Sequence, residues 1–319
     1  MTLFSWLFLM MTGYSAALAA MKSKVAPYMG ERSKGAYKPL QGGRGESKEI
    51  PAPLSSPAHA AGEALMICGE TYIFVHMLEI TDLHVEVGEK EILHDINLRI
   101  GDGETHVLMG PNGSGKTSLL MAIMGFSGYK VTQGKIMYNG KEITHLPVNE
   151  RAKAGIGLMF QRPPTVGGLK LGKLLTATSG ETKEAIDGYA KEVNMLNFLG
   201  RDVNKGFSGG EIKRSEILQL MVQHPDFVML DEPESGVDLE NISLIGTAIG
   251  KLLEKDKHIV HRKKSGLIIT HTGFILDYID TNFGHMMCDG VIKCRGNPRE
   301  MLKEIKERGY RECMECQKV

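Results

Sequence analysis

With 319 residues, 42% of them hydrophobic and 24% charged, the chain is long enough for one large core or two modest ones, and disorder throughout is excluded. Lys plus Arg and Asp plus Glu each number 38, so the formal net charge is zero; no general basic surface for wrapping nucleic acid exists, and no nucleic-acid partner is expected. The five cysteines, Cys68, Cys288, Cys294, Cys313 and Cys316, are odd in number and widely spaced, which speaks against a disulfide framework and for a reducing, cytoplasmic setting.

In chain order, the first 21 residues carry no charge and hold a dense apolar run from Leu3 to Met11 that fades into Ala17, Leu18 and Ala19. Three readings stay open. A signal peptide would lack its usual positive n-region. A membrane span of about 20 uncharged residues would be flanked by Lys22, Lys24, Arg32, Lys34 and Lys38. A dispensable leader over residues 1–76 fits the Gly/Pro/Ser/Ala-rich stretch 35–61, which has no hydrophobic period, and this is the reading taken here. It leaves a main domain over 77–312 and a tail over 313–319.

From Met77 the pattern becomes regular. Leu78–Val87, Glu91–Ile100 and Thr105–Met109 read as three strands. Lys135–Tyr138, Asn139-Gly140 and Lys141–Ile143 make a hairpin signal, since Asn-Gly supplies the positive φ angles of a type I′ turn. Phe227–Leu230 and Leu267–Thr270 are short, branched apolar runs among helical patterns, as in the buried strands of a mostly parallel sheet. Leu169–Leu199 reads as helix-rich with no β pattern. The expected fold is α/β, a mostly parallel core sheet with an antiparallel β subdomain and a compact helical subdomain at about 162–207.

Gly110-Pro111-Asn112-Gly113-Ser114-Gly115-Lys116-Thr117 fits GxxxxGK[ST], directly after one of those strands and before a helix entered at Ser118. Glycines let backbone N–H groups close around phosphates, the helix N-terminus adds partial positive charge, and Lys116 adds a full one. The Thr117 hydroxyl suits Mg²⁺. Phe227–Leu230 leads into Asp231-Glu232-Pro233, which places Asp231 at the carboxyl edge of the sheet to hold Mg²⁺ and Glu232 beside it to orient the attacking water. A plain helix-start signal reads the same three residues equally well. Ser208-Gly209-Gly210-Glu211 opens another helix with an apolar stripe of Ile217, Leu218, Met221 and Val222, so its N-terminus offers either a second phosphate site or an ordinary cap.

Together and in order, these elements resemble the nucleotide-binding subunit of the ABC ATPase family over most of residues 77–295. Gly110–Thr117 is similar to the Walker A loop, Gln161 to the Q-loop, Ser208–Glu211 to the signature motif, Phe227–Glu232 to Walker B, Ser235–Asp238 to the D-loop, and Thr270-His271 to the switch histidine. The wording is most similar to the SufC family of iron–sulfur cluster assembly ATPases at Met109–Lys116, Tyr129–Gly134, Phe207–Leu220, Asp231–Leu239 and Ile268–Ile279.

The resemblance implies a P-loop NTPase fold of the ABC ATPase type and Mg-dependent ATP hydrolysis by Glu232, His271, Gln161 and Lys116. Nucleotide would be held by Gly110, Pro111, Asn112, Gly113, Ser114, Gly115, Lys116, Thr117, Ser118, Ser208, Gly209, Gly210 and Asp238, and Mg²⁺ by Thr117, Gln161 and Asp231. It also implies a head-to-tail dimer on closure, a SufB-like scaffold as partner, and no membrane insertion of the ATPase domain. The nucleotide-binding subunit of a transporter shares all these motifs and is the alternative. A DNA-maintenance ATPase is disfavoured, because the 92 positions from Lys116 to Ser208 contain no coiled-coil insert. Val87 stands where the family stacks adenine on an aromatic ring, so weaker discrimination between ATP and GTP is expected.

Cys313 and Cys316, with Cys288 and Cys294, suggest a four-thiolate metal site. A hairpin in which Cys288 faces Val291 and Cys294 faces His285 would turn these two thiols to opposite faces, so a tail with incidental cysteines is expected.

Overall fold

A computed structural model of the chain describes residues 77–315. The leader at 1–76, residues 316–319 with Cys316, and the Cys313 side chain lie outside the described residues. The elements run β1 (Leu78–Val87), β2 (Lys90–Ile100), β3 (Thr105–Met109), α1 (Lys116–Met124), β4 (Lys130–Tyr138), β5 (Lys141–Glu142), α2 (Val148–Lys153), β6 (Ile156–Met159) and β7 (Val166–Lys170). After them come α3 (Leu171–Ser179), α4 (Lys183–Glu192), β8 (Asp202–Val203), α5 (Gly209–Gln223), β9 (Phe227–Asp231), α6 (Leu239–Leu252), β10 (Ser265–Ile269), β11 (Phe283–Cys288), β12 (Val291–Gly296) and α7 (Pro298–Glu315).

Six strands form the central sheet in the order β12-β11-β3-β10-β9-β6, parallel except for β12 at one edge. Every residue of β3, β9 and β10 is buried, as strands covered on both faces require. Side chains alternate across the sheet. Val107, Val228, Leu230 and Ile268 pack on one side with Ile217 and Leu218 of α5 and Ile245 and Ile249 of α6. Leu108, Met229, Leu267 and Ile269 pack on the other with α1 and with the second sheet, ordered β2-β1-β4-β5. That second sheet is the expected antiparallel unit. Its last turn is the Asn139-Gly140 hairpin, with φ of 48° and 72° at the two positions and Tyr138 paired to Lys141.

Two expectations need correction. The helix-rich stretch 169–199 does carry α3 and α4, but it is not free of β structure: β7 takes in Leu169 and Lys170 and pairs antiparallel with β8 beyond α4. The Cys288 hairpin has a different register: Cys288 faces Val291 as expected, but a bulge between Met286 and Met287 brings Cys294 opposite Met286 rather than His285. One extra residue on β12 flips its parity, so the expected facing of the two thiols fails. The Cys288 thiol instead donates to Asp289 at 3.3 Å.

Arg151, 2% exposed, sits among main-chain carbonyls. Its guanidinium donates to Leu146 O (2.8 Å), Ala122 O (2.8 Å), Ile123 O (2.7 Å) and Thr144 O (2.8 Å), saturating the end of α1 and the segment before α2. Burial lowers its pKa to about 10. At the amino edge of the central sheet, His106 Nδ1 lies 2.9 Å from His285 Nε2 and His106 Nε2 lies 3.0 Å from Glu104 Oε2. Burial holds both imidazoles below their usual pKa, His285 at about 3.

Candidate nucleotide site

The loop from Gly110 to Gly115 joins β3 to α1 and passes close to the β11–β12 turn. A Cβ at Gly110 would stand 2.1 Å from the Met287 carbonyl oxygen, so the main chain itself needs glycine there. Gly115, φ 102°, begins α1 and offers no side-chain acceptor to the first-turn amides. Those N–H groups, with the helix dipole behind them, form an anion-binding end. Lys116 is 5% exposed and folds over the loop, donating to Gly110 O and Pro111 O at 2.9 Å each and lying 3.5 Å from Ser114 Oγ. Burial lowers its pKa, opposed by the negative charges of Glu232 and Asp231.

Strand β9 delivers Asp231 to the same place. Thr117 Oγ1 donates to Asp231 Oδ2 at 3.0 Å, closing the start of α1 onto the end of β9. Asp231 is 1% exposed, and its Oδ1 is buried without a hydrogen-bond partner. Burial raises its pKa while the Thr117 bond lowers it. A buried carboxylate oxygen with no donor, beside a hydroxyl, fits a hard divalent cation such as Mg²⁺, and all the donor atoms are oxygen.

Glu232 follows with φ 49°, a left-handed turn that swings its carboxylate out of the sheet. Gln161 Nε2 donates to Glu232 Oε2 at 2.6 Å, and His271 Nε2 lies 2.5 Å from Glu232 Oε1. The first of these bonds uses the Gln161 side-chain nitrogen and not its oxygen. Lys116, Thr117, Gln161, Asp231, Glu232 and His271, far apart in sequence, are thus gathered at the carboxyl edge of the sheet, where open α/β sheets place their ligands.

Ser208, Gly209, Gly210 and Asp238 form a second group. Ser208 caps α5: Glu211 N donates to its hydroxyl at 3.3 Å, and Ser208 N donates to Glu211 Oε2 at 2.7 Å. A Cβ at Gly209 would lie 2.5 Å from Gly236 O, so this turn packs directly on the loop before α6. Asp238 caps α6 by accepting from Asn241 N at 2.8 Å.

Three residues escaped the sequence reading. Lys213, 3% exposed, donates to Gln161 O (3.0 Å), Phe160 O (3.3 Å) and Asp231 O (3.5 Å), tying α5 to both acidic and glutamine segments. Burial lowers its pKa. Glu216, one turn on, accepts from Phe160 N at 3.4 Å, and burial pushes its pKa up to about 7. Glu234 accepts from the Thr270 hydroxyl and from Thr272 Oγ1 at 3.2 Å, joining the end of β9 to the segment that carries His271. A lysine and a glutamate at i and i+3 in α5 were the available signal for the first two.

The ABC transporter family model matches residues 93–235. Among curated proteins, the chain is 37% identical over 251 residues to Vegetative protein 296 of Bacillus subtilis (strain 168), covering 73% of this chain and 91% of that one. It is 38% identical over 250 residues to the probable ATP-dependent transporter ycf16 of Cyanidium caldarium, covering 74% and 95%. Among solved structures, a nucleotide-free ATP-binding cassette from an ABC transporter superposes with TM-score 0.61 at 25% identity, covering 73% and 95%. A bacterial Atm1-family ABC exporter with ATP bound shares the fold, with TM-score 0.63 at 17% identity over 77% of this chain and 43% of that one.

Proposed function

The chain belongs to the ABC transporter family of ATP-binding proteins, and on that premise we propose that it is the ATP-hydrolysing subunit of a Suf-type iron–sulfur cluster assembly complex. The observation that carries the chemistry is Glu232, held between Gln161 and His271, beside the Thr117–Asp231 contact. Thr117, Asp231 and the Gln161 side-chain oxygen would hold Mg²⁺, which neutralises charge on the β- and γ-phosphates when bound.

The chain's own groups do the rest. Lys116 leaves the carbonyls of Gly110 and Pro111 for phosphate oxygens, and the bare amides of α1 take the remaining charge. Glu232 aligns a water for in-line attack on the γ-phosphorus. The bond from that phosphorus to the β–γ bridging oxygen breaks, giving ADP and phosphate, while His271 holds Glu232 in place. Ser208, Gly209, Gly210 and Asp238 complete the site of a second subunit in a head-to-tail dimer. The packing of Gly209 on Gly236 supports this by holding the two turns together on one surface.

Assignment to cluster assembly rests on the SufC-like wording of Phe207–Leu220, Asp231–Leu239 and Ile268–Ile279. Lys213, Glu216 and Glu234, the buried polar residues that link the glutamine, acidic and histidine segments, all fall within the first two of these stretches. The ATPase domain docks on a SufB-like scaffold in the cytoplasm; among the described residues no helix is long and apolar enough to cross a membrane. Copurification of the tagged full chain from its native cell, with mass identification, tests this. A scaffold partner whose addition raises ATP turnover is the expected result. An integral-membrane permease in its place would leave the transporter subunit as the function.

A further inference from the structure

Away from the nucleotide site, β1 and β2 bring two histidines and three carboxylates together on the outer face of the antiparallel sheet. His84 Nδ1 lies 2.7 Å from Glu91 Oε1, and His94 Nδ1 lies 3.1 Å from Glu91 Oε2, so one carboxylate stands between two imidazoles. The rings meet edge to face, with centroids 6.5 Å apart. The donor atoms of His84, Glu91 and His94 all fall within 4.8 Å of one another. No residue of this cluster belongs to the group around Thr117 and Asp231.

The other nitrogen of His84 decides how the cluster is used. His84 Nε2 lies 3.0 Å from Asp95 Oδ1 and 3.6 Å from Asp82 Oδ1, and Gln133 Nε2 in turn donates to Asp82 Oδ2 at 2.6 Å. With the proton on Nε2 pointing at Asp95, the Nδ1 lone pair is turned toward Glu91 and His94. A carboxylate on the far nitrogen is the arrangement that fixes tautomer and ring orientation in metal-bound histidines. Asp82 and Asp95 reach His84 from two bulged positions, with φ of 49° and 47°. Structural support comes from the strands and from the main chain: His94 N donates to Gly290 O at 3.0 Å, and Gly290 N donates to Ser114 O at 3.0 Å.

The geometry points to a binding site for a zinc-like divalent transition-metal ion, held by His84 Nδ1, His94 Nδ1 and Glu91, with water in the remaining position and Asp95 orienting His84. Two imidazoles and a carboxylate suit Zn²⁺ and its neighbours, whereas Mg²⁺ and Ca²⁺ prefer oxygen alone. Ligand atoms about 2.0 Å from such an ion stand roughly 3.3 Å apart in a tetrahedron, so the Glu91 contacts to His84 at 2.7 Å and to His94 at 3.1 Å would open by roughly 0.6 Å or less. Glu91 and His94 are 41% and 37% exposed, which gives ion and water a path in.

The test titrates the untagged, nucleotide-free full chain with Co²⁺, following the visible absorption of the bound ion. One equivalent should saturate the signal, Zn²⁺ should displace it, and millimolar Mg²⁺ should not. His94→Gln and Glu91→Gln should each weaken binding by at least about 10-fold, and Asp95→Asn, which leaves all three ligands in place, by roughly 10-fold. Zn²⁺ should raise the melting temperature of the parent but not of His94→Gln, a comparison that holds even where a variant is less stable. Asp231→Asn should leave the cobalt signal intact. No saturable signal, a signal indifferent to His94→Gln and Glu91→Gln, or one lost with Asp231→Asn overturns the site.

Discussion

The two ends of helix α1 handle buried positive charge in opposite ways. At its carboxyl end, Arg151 reaches in from α2 and satisfies four main-chain carbonyls, and Gly125 closes the last turn by donating to Ala122 O and Met121 O. At its amino end there is no side-chain cap, and Lys116 rests on two carbonyls of its own loop. Both cations are buried, Arg151 at 2% and Lys116 at 5% exposure, so the burial of the charge does not separate the two ends. What separates them is whether every polar group already has a permanent partner. The Arg151 end is complete. The Lys116 end keeps first-turn amides without a side-chain cap and a carboxylate oxygen of Asp231 without a partner, groups whose chemistry suits an oxyanion and a hard cation.

The largest expected effect breaks the complete end. Arg151→Met keeps much of the volume but leaves the carbonyls of Leu146, Ile123 and Thr144 without their donor, each lost bond costing about 1 kcal/mol. A destabilisation of about 3 kcal/mol should appear as a lower urea midpoint at unchanged slope. A change below about 1 kcal/mol would mean that water replaces the guanidinium, and that the two ends are less different than drawn.

The incomplete end should respond in activity and not in stability. Glu232→Gln should keep Mg-ATP binding and lose roughly 10²-fold or more in turnover, equivalent to about 2.7 kcal/mol. Lys116→Ala should weaken nucleotide binding itself. Equilibrium binding and steady-state turnover on the same preparations separate the two, and Glu232→Gln within about twofold of the parent would remove the role proposed for that carboxylate.

A third buried group sharpens the comparison by giving up its charge. His106 and His285 pack against each other in the neutral form, and desolvation holds both below the ordinary histidine value. Their folded pKa lies below the unfolded one, so their contribution to stability is complete above about pH 6.5 and is lost as pH falls. For His285, with a folded value of about 3, the loss between pH 7 and pH 5 is about 2 kcal/mol. Thermal unfolding across that range should show it, and His285→Gln should flatten the dependence. An unchanged slope in the variant would place the acid sensitivity elsewhere.

How far the sequence could be read follows the same division. Lys116, Thr117, Asp231 and Glu232 were legible because loop and strand-end chemistry ties residue type to fixed spacing. The alternating strands and the Asn139-Gly140 turn were legible because period and turn chemistry are local. Arg151 was not, since in the run Val148–Lys153 it reads as one more surface charge, and its partners are main-chain carbonyls that any sequence carries. The pairing of β7 with β8 was hidden for a related reason: β7 contains Gly167 and Gly168 in place of branched residues, and its two-residue partner lies beyond α4. The parity of Cys294 failed on a single bulged residue, which no pattern of period two can announce.

The smallest expected effect concerns a helix end of mixed character. Ser208 caps α5 reciprocally with Glu211, so in the single chain this end is satisfied and resembles the Arg151 end; yet the proposed dimer would use the same serine on a partner's nucleotide. A capping role alone sets Ser208→Ala at about 1 kcal/mol of stability, because one first-turn amide loses its acceptor. Glu211→Ala removes the reciprocal half of the box and should cost a similar amount. If the serine also contacts nucleotide across a dimer, Ser208→Ala must lower turnover well beyond Glu211→Ala at matched stability, and the deficit should grow at enzyme concentrations where dimers dominate. Equal turnover in the two variants would return Ser208 to the class of finished helix ends.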